Sequence, residues 1–111
     1  MHTRKWTVPA TVLEVVDGDT LRLELDLGWH IKYTTRVRIA RINAPECKTP
    51  EGDAAKSYAN TLVHPGDEVI FTSQRLDKYG RPLGTVTYGG FSAKDFADDM
   101  VHAGHAAYVN W

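Results

Sequence analysis

The chain has 111 residues, 42% of them hydrophobic and 24% charged, with a formal net charge of −1. That composition excludes a disordered chain, leaves room for one modest core, and gives no overall positive charge that would favour a nucleic-acid partner. No apolar run reaches the ~20 residues of a membrane span, and "MHTRKWTVPATV" has no continuous apolar stretch after its basic residues. A cytoplasmic, monomeric protein of one domain (1–111) without membrane contact is expected. The lone Cys47 cannot close an internal disulfide and has no metal-ligand spacing, so it reads as a plain small residue.

In chain order, "LEVVDGDTLRLEL" reads as a hairpin. Leu21, Leu23 and Leu25 alternate with Thr20, Arg22 and Glu24, which predicts a half-buried strand over 19–26 paired with 7–16. Asp17-Gly18 is read as its turn, with positive φ at both central residues. "LGWH" is the next turn. "IKYTTRVRIARI" is a third, longer strand in which Val37 and Ile39 keep the period of two and Ile42 breaks it, so a bulge or bend is expected near Ala40–Arg41.

The period then becomes helical. Ala54, Ala55, Tyr58, Ala59, Leu62 and Val63 recur at helix spacing, with Thr49 as N-cap, Pro50 at the first helical position and Pro65-Gly66 as the stop. "DEVIFTSQ" and "GRPLGTVTY" are the fourth and fifth strands. "SAKDFADDMVHAGH" is a second helix, with Ser92 as N-cap, Asp95 in the third helical position and Gly104 at the C-terminal cap. Three strands, a helix, two strands and a helix are the element order of a five-stranded Greek-key barrel of the OB type, a mainly β fold with two helices.

Charge is unevenly distributed along the chain. Lys32, Arg36, Arg38, Arg41 and Lys48 form one basic group and Arg75, Lys78 and Arg81 a second, while Asp95, Asp98 and Asp99 collect near the end. Such a split can give one positive face on a near-neutral protein.

Four segments carry possible chemistry. Asp19 shares the parity of Leu21, so its carboxylate starts toward the core side and needs a cation there. "RINAPE" ends the third strand with an amide oxygen on Asn43, the carbonyl of Ala44 and the carboxylate of Glu46. Ala44 is held extended by Pro45. With Asp19 these are hard oxygen donors of the kind that suit Ca²⁺. Arg38 is expected on the polar face of the third strand, and "DKYGRPLG" places Arg81 after a turn at Tyr79-Gly80. A hard-cation site and two arginines are what phosphoryl transfer requires, because charge builds on the phosphate oxygens during water attack.

"VVDGDTLRL", "RVRIARINAPE" and "DKYGRPLGTV", in this order, resemble the thermonuclease (staphylococcal nuclease-like) family over about Val12 to Tyr108. The resemblance implies an OB barrel, Ca²⁺ as cofactor, and hydrolysis of DNA or RNA, with single-stranded or unpaired regions preferred. It implies metal ligation by Asp19, Asn43 and the Ala44 carbonyl, and activation or positioning of water by Glu46. Arg38 and Arg81 would bind phosphate, Lys78 would contact a phosphate, and Tyr79 and Tyr108 would meet the nucleotide. Three features depart from the family pattern. Asn43 stands where the family has a carboxylate, the interval "ELDLGWHIKYTT" is long and places Trp29 at a hairpin tip, and the chain stops at Trp111 before a further C-terminal helix. Asn43 leaves open an alternative, a catalytically weakened module of this family that binds nucleic acid or protein.

Overall fold

A computed structural model describes residues 6–89 and 93–109. Its strands are β1 (Trp6–Asp17), β2 (Thr20–Gly28), β3 (Ile31–Ile39), β4 (Ile42–Asn43), β5 (Glu68–Leu76), β6 (Pro82–Tyr88), β7 (Lys94–Asp95) and β8 (Ala107–Tyr108). The helices are α1 (Pro50–Leu62), between β4 and β5, and α2 (Phe96–His102), between β7 and β8. The sheet runs β3-β2-β1-β5-β6-β7 and closes on itself where β3 pairs in parallel with β6 at Arg38↔Leu83 and Ile39↔Gly84. The result is a closed five-stranded barrel of β1, β2, β3, β6 and β5. The core draws Val12, Leu21, Leu23, Val37, Ile39, Phe71 and Val86 from the barrel and Ala55, Ala59, Phe96 and Met100 from the helices.

The first hairpin turns one residue later than the sequence reading placed it. Asp17 and Thr20 are paired, so the turn is Gly18-Asp19, and neither Asp17 nor Gly18 has a positive φ. Gly18 is required for close packing instead. A Cβ there would lie 2.9 Å from Ala44 Cβ, 3.0 Å from Ala55 Cβ and 3.2 Å from Met100 Cε. The second hairpin does have left-handed residues at its tip, Trp29 (φ 54) and His30 (φ 61), and Trp29 is 94% exposed.

β3 ends at Ile39, and the expected bend is a turn through Arg41 in the left-handed region (φ 71). The chain then enters β4, which pairs with β8 at Ile42↔Tyr108 and Asn43↔Ala107. Helix α1 begins as expected. Thr49 Oγ1 accepts from the Gly52 amide at 2.9 Å and donates to the Glu46 carbonyl at 2.8 Å. A Cβ at Gly52 would meet the Glu46 carbonyl oxygen at 1.6 Å, so the helix start is seated directly on the Glu46 backbone.

Helix α2 starts later than expected. Its N-cap is Asp95, which accepts from the Asp98 amide at 3.1 Å, so Asp95 is not a third helical position. Ser92 lies outside the described residues.

Candidate active site

The turn at Gly18-Asp19, the end of β3, the β4–α1 connection and the β5–β6 connection converge at one end of the barrel. They enclose a cleft of about 480 Å³, lined by Asp19, Arg38, Asn43, Ala44, Glu46, Lys78, Tyr79 and Arg81 among others. Eight of the nine residues singled out from the sequence therefore share one surface. Tyr108 is not among the lining residues. It is half exposed on β8, its hydroxyl donates to Asp98 at 2.7 Å, and the Arg41 guanidinium lies 6.0 Å from its ring centre.

Asp19 is the hub of the buried wall. Its Oδ2 accepts from the Ala44 amide at 2.9 Å and lies 3.4 Å from Arg38 Nη2, and its Oδ1 accepts from Thr20 Oγ1 at 3.1 Å. Its backbone carbonyl accepts from the Ile39 amide at 2.9 Å. These bonds join the first hairpin to both sides of the β3–β4 turn.

Arg38 lies on the face opposite Val37 and Ile39, as expected, but only 7% of it is exposed, because the cleft walls cover it. It donates from Nη1 to the Ile39 carbonyl at 2.6 Å and from Nη2 to Asn43 Oδ1 at 3.3 Å. Burial lowers its pKa below the ordinary guanidinium range; Asp19 opposes that shift and the Arg81 charge adds to it. The two guanidinium groups are close enough to repel, and both line the cleft.

The opposite wall is organised by Asp77, the first residue of "DKYGRPLG", whose role the motif alone does not show. Asp77 Oδ1 accepts from the amides of Tyr79 at 2.8 Å and Arg81 at 2.9 Å, and Oδ2 takes Arg81 Nε at 2.7 Å. Burial raises the Asp77 pKa, but the Arg81 and Tyr79 amides and the Arg81 guanidinium outweigh it, so the net shift is downward from 3.8. Aspartate followed at short range by glycine was the available signal for such a turn. Tyr79 is exposed, with Lys78 Nζ 5.2 Å and Arg81 Cζ 5.4 Å from its ring centre.

Asp17 and Arg75 also line the cleft without having been singled out. Asp17 Oδ1 accepts from the Cys47 amide at 3.1 Å, and Cys47 Sγ donates to the Val16 carbonyl at 3.1 Å, in keeping with a structural role for that cysteine. The Glu46 side chain is exposed, and its carboxylate has no hydrogen bond or ion pair among the described residues.

The oxygen donors at this end suit a hard cation in kind. Asp19, Asn43 and Ala44 line the cleft together, and Asp17 adds a second carboxylate. The set carries little negative charge, since Arg38 already neutralises Asp19. No group of three or more His, Cys, Asp or Glu side chains among the described residues is placed to hold a metal ion.

Residues 36–111 match the family described as staphylococcal nuclease homologue, and the chain belongs to that family. It is 36% identical over 75 residues to a micrococcal nuclease of Shigella flexneri, a match covering 68% of this chain and 40% of that protein. The match therefore spans about two fifths of the length of that curated relative. The family match takes in every singled-out residue except Asp19, which reaches the cleft from the preceding hairpin.

Proposed function

We propose that the cleft hydrolyses phosphodiester bonds of DNA or RNA, as an endonuclease acting on single-stranded or unpaired regions. The observation that carries this reading is the meeting of Arg38, Arg81, Asp19 and Glu46, from four separate segments, around one solvent-open space. Two guanidinium groups facing that space neutralise the scissile phosphate and the further charge that develops as it becomes five-coordinate.

Arg38 is fixed by its bonds to the Ile39 carbonyl, Asn43 and Asp19, and Arg81 by Asp77, so little reorganisation is needed when charge develops. Glu46, held by its own backbone against the start of α1, keeps an exposed carboxylate free to accept a proton. In this reading a water oxygen bonds to phosphorus in line with the leaving oxygen, the water proton passes to Glu46, and the departing oxygen takes a proton from solvent. Asp19, Asn43 and the Ala44 carbonyl are the groups that would hold Ca²⁺, which when bound would supply Lewis-acid stabilisation of phosphate charge. Lys78 contributes a further positive charge and Tyr79 an exposed ring at the cleft mouth. Tyr108 offers a ring for base stacking just beyond it.

A second reading has one observation behind it. Asn43 replaces a carboxylate, and its amide oxygen is already engaged by Arg38, which suits a weakened module that binds without cutting. Incubating the purified protein with single-stranded DNA and with RNA, over a Ca²⁺ series and with chelator, separates the two. Cleavage that rises with Ca²⁺ supports the nuclease, and binding without cleavage at any Ca²⁺ concentration supports the module.

A further inference from the structure

The outward face of β2 and β3 continues away from the cleft in line with Arg38. Antiparallel register puts Thr20 opposite Arg38 and, one pair further out, Arg22 opposite Arg36. Alternation sends all four to the same side, since Leu21, Leu23 and Val37 between them are fully buried in the core. Two arginines directly opposite each other on exposed strands repel, an arrangement that sheets ordinarily avoid.

Neighbouring acids compensate this pair poorly. Glu14 on β1 stands beside Arg22, but the ion pair is 3.9 Å long with both side chains about half exposed, where such a contact adds little stability. The Arg36 guanidinium has no ion pair among the described residues, and only Arg38 and Ile39 of β3 pair with β6, so the strand edge beside Arg36 is open. Other cations nearby are engaged: Lys32 lies 3.6 Å from Glu24, and Arg41 reaches Asp95 and Asp98 at 3.2 and 3.5 Å.

Residues two apart on a strand are about 6.6 Å apart, close to the separation of successive phosphates in an extended nucleic-acid strand. The face between strands 2 and 3 is also where OB barrels receive oligonucleotides. We propose that Arg36, with Arg22 beside it, binds the phosphate adjoining the one held in the cleft, which makes this face a second backbone subsite for single-stranded nucleic acid. The inference rests on the nuclease reading above and extends it from one phosphodiester to a strand with a defined path.

The test measures binding of fluorescent decathymidylate by anisotropy in chelator, across a salt series, for the wild type, Arg36→Gln and Arg22→Gln/Arg36→Gln. The expected result is a several-fold weaker Kd for Arg36→Gln and a further loss for the double variant. The log–log salt slope becomes shallower by about 0.7 for each contact removed. The penalty is smaller on a thymidylyl dinucleotide, which has a single internucleotide phosphate. Because the substitution relieves like-charge repulsion, the melting temperature stays level or rises. Wild-type affinity and salt slope in both variants, alongside Arg81→Ala that no longer cleaves, would overturn the subsite and leave the nuclease reading standing. A wild type that neither binds nor cleaves would overturn both. A melting temperature that falls while binding is unchanged would make Arg36 a structural residue and likewise overturn the proposal.

Discussion

Asp77 grips Arg81 at three points: it accepts the Arg81 amide at 2.9 Å and Nε at 2.7 Å, and its own amide donates to the Arg81 carbonyl at 2.7 Å. The remaining guanidinium nitrogens of Arg81 are thereby directed by a closed loop rather than left to a flexible side chain. Asp77→Asn keeps the shape and loses the charge. We expect the nuclease rate to fall by about 10- to 100-fold, mainly in kcat, because a displaced arginine no longer meets the transition state. A variant that raises KM alone would show that Asp77 serves ground-state binding only.

The same pair has an acid signature. Its surroundings hold the Asp77 pKa below 3.8 in the folded protein, so Asp77 contributes stability that is complete above its unfolded pKa and is lost as pH falls through the folded one. Thermal melts from neutrality down to below pH 4 should therefore show a decline that is shallower in Asp77→Asn than in the wild type. Parallel acid limbs for the two proteins would contradict the downward shift.

Asn43→Asp adds a carboxylate to the cleft at the end of β4. Calcium affinity, followed by calorimetry, should tighten by about tenfold, and the Ca²⁺ concentration needed for cleavage should fall with it. Part of the new charge will pair with Arg38, which already reaches Asn43 Oδ1 at 3.3 Å. An unchanged calorimetric titration would remove Asn43 from the ligand set.

Gly52 couples the first helix to the loop that carries Glu46. An alanine there puts Cβ 1.6 Å from the Glu46 carbonyl oxygen, a backbone atom that cannot rotate aside. Gly52→Ala is expected to cost about 1–3 kcal/mol of stability and to lower cleavage even in the fraction that folds, since Glu46 must move. Denaturant unfolding and activity per folded molecule measure the two effects separately.

The barrel was legible because its signals are local. Leu21, Leu23 and Leu25 announce β2 by alternation, and Thr49-Pro50 announces α1 by cap chemistry. What escaped the sequence depends on contacts between distant segments. Gly18 reads as turn chemistry, but its need for no side chain arises from Ala44, Ala55 and Met100. The pairing of β4 with β8 joins two residues on each side across more than sixty positions, too short to leave a periodic trace. The polar-face parity of Arg38 was correct; its burial came from the walls of the cleft, which no single strand encodes. Ser92 and Asp95 are both acceptable caps, and only the helix itself selects Asp95.

The most direct measurement of whether Arg38 and Arg81 hold one phosphate between them is the single-turnover cleavage rate of single-stranded DNA by Arg81→Ala against wild type at saturating Ca²⁺. A loss on the order of 10²-fold or more is predicted, with the fold retained. Full activity in that variant would contradict the account.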